Sequence, residues 1–151
     1  MLEVHGDFWT YGPVHARGIT TNGDRRVSGR AVMGRGVARQ ALDRYPDIDL
    51  VLGHELRWGN HVYVLKVGRA QRSRTGQPVL FNFPVKHRWQ EPADLNLIIR
   101  SANELVQMTG EHEWHRVLLP RPGCGNGGLD WQQVGPVLQQ VLDDRFHVIT
   151  W

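Results

Sequence analysis

The sequence is poor in the residues that build disulfide-stabilised or zinc-stabilised folds. Its 151 residues include a single cysteine, Cys124, so neither an intrachain disulfide nor a cysteine-based zinc site can form. The eight histidines show no His-Glu-x-x-His or comparable ligand spacing. The sequence therefore predicts a domain held together by an apolar core, with no bound metal, in a reducing compartment such as the cytoplasm.

Long apolar runs and a strong net charge are also missing. No stretch of 18 apolar residues occurs, and the N-terminal MLEVHGDFWTY lacks the basic and apolar regions of a signal peptide, so we expect neither a membrane span nor an export signal. A net charge of +3 favours an anionic ligand but is far below that of a dedicated nucleic-acid binder. The length and the 40% hydrophobic content predict one monomeric domain, residues 1–151.

Alternating residue patterns predict an α/β fold. Short β-type runs bounded by turn residues occupy 1–6, 14–21, 61–70, 78–85, 116–120 and 146–151. The runs at 61–70 and 78–85 flank the polar turn QRSRTGQ and predict a hairpin. Helical periodicity lies within 34–46, 47–60, 91–110 and 130–144. Strands and helices alternate in the second half, which predicts a mixed, largely parallel sheet with helices on both faces.

Two glycine-rich loops stand at helix starts. VMGRG, residues 32–36, runs into the first predicted helix, and GCGNGG, residues 123–128, joins the strand RVLLP to the last one. Such loops present backbone amides to an anion, and ligands of α/β sheets bind at the carboxyl ends of the strands. We expect the loops to grip an elongated diphosphate ligand from two sides; the alternative is that the glycines only permit tight turns and close helix packing.

Common nucleotide motifs do not account for these loops. Gly123-x-Gly125-x-x-Gly128 matches the dinucleotide fingerprint in form, but that motif belongs to an early βαβ unit with an acidic residue about 20 positions on. Here the chain is almost over, and the last predicted strand ends at Thr150 and Trp151 without a carboxylate. No Gly-Lys-Ser/Thr follows either loop, so a Walker A site is excluded as well.

Five segments in order resemble the macrodomain family of ADP-ribose-binding modules. They are HGDFW at 5–9, ITTNG at 19–23, AVMGRGVARQALDRYP at 31–46, FPVKHRW at 83–89 and LPRPGCGNGGLDW at 119–131. The resemblance is strongest to the branch that contains the terminal ADP-ribose protein glycohydrolases and the DNA ADP-ribosylglycohydrolase antitoxin macrodomains, with bacterial and phage members. It implies a three-layer α/β/α sandwich around a mixed six-stranded sheet, with ADP-ribose in a cleft across the strand ends and no cofactor.

The resemblance also implies which residues bind ADP-ribose. Asp7 would accept a hydrogen bond from the adenine amine, Asn22 and the VMGRG loop would line the distal ribose and one side of the diphosphate, and the GCGNGG loop would line the other side. The complete implied set is Asp7, Phe8, Thr21, Asn22, Val32, Met33, Gly34, Arg35, Gly36, Val37, Pro122, Gly123, Cys124, Gly125, Asn126, Gly127, Gly128, Leu129 and Trp151.

Other aromatic and basic residues are candidates for nucleic-acid contacts. Trp9, Trp89 and Trp151 are candidates for stacking on adenine or another nucleobase, and core packing is the alternative. The loop arginines Arg25, Arg26, Arg30, Arg69, Arg72 and Arg74 are candidates for DNA phosphate contacts, and solvated side chains are the alternative.

Lys86 and Asp130 are the catalytic candidates. In hydrolytic macrodomains a lysine at the position of Lys86 acts on the anomeric carbon of the distal ribose. An amine attacks only in its neutral form, which would need partial burial or a neighbouring cation such as His87 or Arg88; electrostatic help to a departing group is the alternative. The protein-directed enzymes carry an aspartate where this chain has Gly127. The carboxylate comes only at Asp130, where it can also cap the last helix.

These features lead to one main expectation and several alternatives. The main one is a macrodomain that binds ADP-ribose and hydrolyses mono-ADP-ribose from modified protein glutamate or aspartate side chains. The alternatives are removal of ADP-ribose from thymidine in single-stranded DNA, a non-catalytic ADP-ribose reader, and an ADP-ribose 1''-phosphate phosphatase. The partner is accordingly ADP-ribose itself, an ADP-ribosylated protein or ADP-ribosylated single-stranded DNA.

Overall fold

A computed structural model describes residues 1–67 and 77–151 as a six-stranded sheet with helices on both faces. The strands are β1 (Leu2–His5), β2 (Ala16–Asn22), β3 (Val64–Leu65), β4 (Val79–Lys86), β5 (Val117–Pro120) and β6 (Phe146–Thr150). The helices are α1 (Gly36–Arg44), α2 (Ile48–Glu55), α3 (Leu95–Glu111) and α4 (Trp131–Gln139), and a short 3-10 helix (Leu56–Trp58) follows α2. The predicted α/β class and mixed six-stranded sheet are confirmed.

The sheet is parallel except at one edge. The strand order is β1-β6-β5-β2-β4-β3, and only β3 runs antiparallel to its neighbour among the described strands. Strands β2, β4, β5 and β6 therefore end at the same edge of the sheet. Because β2, β4 and β5 lead into loops there, this edge is the natural place for a ligand.

Successive side chains of a strand point to opposite faces of the sheet, and the apolar ones form two cores, one on each face. Phe81, Phe83 and Val85 point to the face covered by α3 and α4, where Ile98, Ala102, Leu105, Val134 and Leu138 are buried. Leu80, Leu118 and Ile149 point to the other face, against Val37, Ala38, Ala41, Ile48 and Leu52 of α1 and α2. This arrangement is the three-layer α/β/α sandwich that the resemblance implied.

The predicted hairpin is only partly present in the described residues. Within the described residues 61–67 of the predicted strand, β3 covers Val64 and Leu65. Before β3, the buried side chain of Asn82 pairs with the backbone: its amide oxygen accepts from Tyr63 N at 2.8 Å, and its amide nitrogen donates to His61 O at 2.8 Å. The predicted turn QRSRTGQ, except Gln77, lies outside the described residues, as do Arg69, Arg72 and Arg74.

Two negative findings hold for the described residues. Of the helices in these two ranges, none combines the length and the apolar composition that a membrane crossing requires. Within the same ranges, no group of three histidine, cysteine, aspartate or glutamate side chains is arranged to hold a metal ion.

Candidate functional site

A cleft of about 1100 Å³ opens at the carboxyl ends of the parallel strands. Its wall includes Asn22 at the end of β2, Lys86 at the end of β4, Pro120 at the end of β5 and Thr150 at the end of β6. Both glycine-rich loops contribute to the wall. Residues far apart in the sequence meet in this cleft because parallel strands end at one edge.

The first loop leads into the N-terminus of α1 and leaves it uncapped. The N-cap residue Arg35 makes no side-chain capping bond, and within the described chain no acceptor is bound to the amides of residues 36–38. All three residues line the cleft. The loop is held in place by Asn22, whose amide nitrogen donates to Val32 O at 3.0 Å. Free amides and the positive end of a helix dipole together favour an anion at this point.

The second loop folds back on itself and also leaves amides free. Leu129 N donates to Gly123 O at 2.9 Å and Gly128 N donates to Gly125 O at 3.2 Å, whereas the amides of residues 125–127 have no acceptor within the described ranges. Gly36 and Asn126 show that the loops face each other, because a Cβ on Gly36 would lie 3.2 Å from Asn126 Nδ2. The two loops thus face each other across the cleft, and the grip on a diphosphate expected from the sequence stays a prediction.

Glycine occupies the positions of these loops for different physical reasons. A Cβ at Gly34 or Gly125 would meet no described atom within 4 Å, so these positions leave open space. Gly128 is required by its backbone, because its φ of 79° is one that other residues rarely adopt. At Gly127, by contrast, a Cβ would lie 2.5 Å from Gly123 O and 2.7 Å from Ala93 Cβ. Gly127 is buried, and its own carbonyl accepts from Ala93 N at 2.9 Å. A side chain at 127 therefore cannot enter the cleft without moving the loop.

Lys86 lies half-buried in the cleft wall at the end of β4. Its Nζ donates to Trp89 O at 3.3 Å, and its backbone pairs with Asn22 across the β2–β4 ladder. The two residues that follow Lys86, His87 and Arg88, each contact a carboxylate. His87 Nε2 lies 2.7 Å from Asp94 Oδ2, and Arg88 Nε lies 3.7 Å from Asp24 Oδ1. The His87 contact lowers the pKa of the Asp94 carboxyl below its usual value.

Asp130 caps α4 and also lines the cleft. Its Oδ1 accepts from Gln132 N at 3.0 Å, the N-cap bond expected from the sequence. The donor is the backbone amide of Gln132, the second residue of the helix. Because the side chain is exposed at the cleft wall, the capping role leaves the carboxylate accessible to a ligand.

Most residues implied by the resemblance line the cleft, and four do not. Those in the wall are Thr21, Asn22, Val32, Gly34, Arg35, Gly36, Val37, Gly123, Cys124, Gly125, Asn126, Gly127, Gly128, Leu129 and Trp151, with Lys86 and Asp130. Phe8 and Met33 are core residues 2% exposed, and Pro122 is also buried. Asp7 lies outside the wall, and its Oδ1 accepts from Trp9 N and Thr10 N in a local turn. These four residues are therefore not part of the described wall, and their contacts with ADP-ribose stay predictions.

Sequence reasoning missed several wall residues. Thr20, Val85, Pro120, Ile149 and Thr150 stand at or near the ends of predicted strands, so the strand-end rule could have found them. Arg121 and Trp131 gave no such signal, because their position depends on a tertiary contact in which the Arg121 guanidinium lies 4.9 Å from the Trp131 ring centre. The hydroxyl of Thr21 is buried in the wall without a partner in the described residues, which suits a polar ligand atom or water.

Cys124 is expected to be a slow nucleophile. Burial raises the pKa of its thiol and outweighs the opposite influence of Arg121, so the thiol form is favoured at neutral pH. We expect iodoacetamide to alkylate Cys124 at pH 7 more slowly than it alkylates free glutathione, as followed by intact-mass spectrometry. Alkylation as fast as that of glutathione would contradict this prediction, and Cys124→Ser is expected to keep ligand binding.

Comparisons with known proteins agree with this geometry. A DNA ADP-ribosyl glycohydrolase of Thermus aquaticus is 31% identical over 121 residues, which are 80% of this chain and 33% of that protein. The macrodomain of Thermus aquaticus DarG superposes with a TM-score of 0.77 at 28% identity, over 99% of this chain and 97% of that one. Thermosipho africanus DarTG, solved in complex with ADP-ribose, shares the fold with a TM-score of 0.75 at 21% identity, over 90% of this chain and 38% of that one.

The fraction of each relative that the chain covers determines which conclusion the comparison supports. No protein-family model matches the chain. The chain spans about a third of the length of the curated relatives it matches. The matched solved macrodomain, however, is covered almost completely, and the two glycine loops meet across one cleft as the resemblance implied. The chain belongs to the macrodomain family.

Proposed function

We propose that this macrodomain binds ADP-ribose in the cleft and hydrolyses the bond that joins ADP-ribose to a DNA base. The observation that carries the binding part is the pair of facing loops with free amides, residues 36–38 on one side and 125–127 on the other. A diphosphate between them would satisfy amides from both loops and lie at the positive end of α1. The ADP-ribose complex of the Thermosipho africanus protein, which has the same fold, supports this ligand.

The rest of the cleft fits the two ends of such a ligand. Trp151 is exposed in the wall, near Phe8 with ring centres 6.2 Å apart, and offers a face for adenine. Lys86 and Asn22 stand together at the ends of β4 and β2, where the distal ribose would lie. Hydrolysis requires a catalytic group beside that ribose, and Lys86 is the candidate in this position.

A DNA linkage is better supported than the protein linkage that headed the sequence-based expectations. Three curated relatives are named DNA ADP-ribosyl glycohydrolases, and a fourth is named as a fusion that contains such an enzyme. The protein-directed branch was expected to carry an aspartate at position 127. Here the glycine is sealed by Gly123 and Ala93, so the chain has neither that carboxylate nor the space for it. We therefore propose ADP-ribosylated single-stranded DNA as the substrate.

In this proposal Lys86 acts through its charge. Water adds to the anomeric carbon and loses a proton, and the base departs with the bonding electron pair and takes up a proton in exchange. A fixed cation beside the departing group stabilises the negative charge that develops there. The nucleophilic alternative needs a neutral amine, and the cations expected to favour it, His87 and Arg88, are offset by Asp94 and Asp24. Asp130 remains a helix cap whose carboxylate lines the cleft.

The test is release of ADP-ribose from two substrates under identical conditions. One is single-stranded DNA modified on thymidine, and the other is a protein modified on glutamate, with release followed by chromatography. We expect release from the DNA and at least roughly tenfold slower release from the protein, since a change of one specific contact is worth about that much. Release from the protein alone would contradict the DNA assignment. Tight ADP-ribose binding without release from either would identify a reader.

A further inference from the structure

We propose that one rim of the cleft docks the single-stranded DNA that surrounds the modified base, with Trp89 stacking on a nucleobase. We name this surface the basic rim and define it as Arg25, Arg26, Val27 and Trp89. The inference rests on the proposed function, because it specifies how the DNA part of the substrate is held. It concerns a surface beside the loops that grip the diphosphate.

Trp89 is presented to solvent on a rigid backbone. Its side chain is 53% exposed in the cleft wall, and it has no ring or cation-π partner in the part of the chain that the structure describes. Its backbone is held on both sides: the N–H donates to Asp24 Oδ2 at 2.7 Å, and the carbonyl accepts from Lys86 Nζ at 3.3 Å. The proposed catalytic amine and the indole therefore belong to one fixed segment, so a base leaving the anomeric carbon would emerge next to the ring.

Arg25 and Arg26 differ from the neighbouring arginines in having no carboxylate partner within the described ranges. Arg30 contacts Asp49 at 2.7 Å and Arg88 approaches Asp24 at 3.7 Å, so their charges are offset. Arg25 and Arg26 are exposed, and Arg26 lines the cleft. Two uncompensated guanidinium groups at the rim favour an anionic strand, although the net charge of the whole chain is small.

The loop that carries these arginines has a defined shape. Arg26 N donates to Arg30 O at 2.7 Å, Gly29 N donates to Arg26 O at 2.8 Å, and Arg25 forms a β-bridge with Ala31. These bonds leave Val27 fully exposed at the tip. Loops that are ordered before binding lose less conformational entropy when a ligand docks, so this shape is suited to recognition.

Asp24 joins the two parts of the basic rim. Its carboxylate accepts from Trp89 N and pairs with Arg88, and its backbone precedes the arginine loop directly and accepts from Val32 N at 3.4 Å. The indole, the arginines and the first glycine loop are thus positioned relative to one another by one residue. An aromatic face next to free cations is the combination that binds single strands, since bases stack and phosphates pair. An acidic peptide would use the cations but not the exposed indole.

The experiment measures equilibrium binding in the Lys86→Ala background, so that it does not depend on hydrolysis. The ligands are free ADP-ribose, measured by calorimetry, and single-stranded DNA carrying ADP-ribose on thymidine, measured by fluorescence anisotropy. We expect the modified DNA to bind at least roughly tenfold more tightly than free ADP-ribose, and Trp89→Ala to remove most of that advantage, since one stacked base contributes about this much. Trp89→Phe is expected to restore it, and free ADP-ribose affinity should not change.

The arginines and a matched tryptophan give the controls. Arg25→Gln with Arg26→Gln is expected to weaken binding of the modified DNA alone and to reduce the salt dependence of log affinity by about 0.7 for each lost phosphate contact. Trp58, which is 71% exposed and outside the cleft wall, is the control position, and Trp58→Ala should have no effect. Equal affinity for modified DNA and free ADP-ribose, or an equal loss in Trp58→Ala, would overturn the inference.

Two further outcomes separate the inference from the proposed function. If the parent releases no ADP-ribose from DNA but the basic rim still contributes to binding of modified DNA, the hydrolase proposal fails and the docking inference stands. If the rim variants weaken binding of an ADP-ribosylated acidic peptide and leave modified DNA unaffected, the rim binds a protein partner and the docking inference fails.

Discussion

Replacement of Lys86 by alanine is expected to abolish ADP-ribose release while leaving ADP-ribose binding within a few fold of the parent. Lys86 is at the end of β4 in the cleft wall, whereas the amides proposed to hold the diphosphate belong to two other segments. Removal of one charged or proton-transferring group at a reacting centre lowers the rate by roughly 10²–10⁴-fold. The measurement is single-turnover release from thymidine-modified DNA, with binding measured in parallel by calorimetry.

The chain offers a matched control for this variant. Its other lysine, Lys66, is exposed beyond β3 and outside the cleft wall, so Lys66→Ala removes the same charge without touching the site. Lys66→Ala is expected to release ADP-ribose at the parent rate. Turnover by Lys86→Ala at the parent rate would remove Lys86 from the mechanism, and a large loss of ADP-ribose affinity would show that its main role is binding.

Replacement of Gly127 by valine is expected to abolish detectable ADP-ribose binding and to lower stability at the same time. The added Cβ would lie 2.5 Å from Gly123 O and 2.7 Å from Ala93 Cβ, so the loop must move and its free amides lose their common direction. Overpacking of this kind costs about 1–3 kcal/mol of unfolding free energy, which corresponds to a fall in Tm of roughly 2–12 °C. Calorimetry and thermal unfolding measure the two effects.

Substitutions at two other glycines distinguish a loss of ligand contact from a loss of stability. A Cβ at Gly125 meets nothing within 4 Å, so Gly125→Ala should leave Tm unchanged, and any loss of affinity there reports contact with the ligand itself. Gly110 lies in α3 outside the cleft wall, and a Cβ there would also meet no described atom within 4 Å. Gly110→Ala should bind ADP-ribose normally and be as stable as the parent or more so. Unchanged affinity in Gly127→Val would show that the loop does not hold the ligand.

The contrast between these glycines shows which properties the sequence predicted and which it did not. The spacing of apolar residues and the turn chemistry predicted every described helix and strand, because these patterns depend on local geometry. The placement of the two glycine loops at the sheet edge followed from the rule for parallel strands. The role of each glycine in these loops did not follow from the sequence. Whether a glycine leaves space for a ligand or is needed for close packing depends on atoms distant in the sequence.

For the catalytic candidates, too, some properties were predicted from the sequence and others were not. Lys86 was identified through the resemblance, and the Asp130 cap followed from the local pattern of a capping residue before a helix. The engagement of His87 and Arg88 by Asp94 and Asp24 was not predicted, since no sequence spacing signals a contact between a strand end and two separate loops. The sequence already shows a glycine at 127, where the protein-directed enzymes carry an aspartate, and the structure adds that this glycine is packed against Gly123 and Ala93.

By itself, the sequence determined the α/β class, the order of the elements, the position of the two glycine-rich loops and the family. These properties follow from residue periodicity, from glycine at helix starts and from a motif order that spans the chain. Only the tertiary structure decided which glycines are packed, which loop residues line the cleft, how Asp24 positions Trp89 beside Lys86, and which arginines are left without a carboxylate. Those properties depend on distances between segments that the parallel strands bring together, and such distances are set by packing rather than by local pattern.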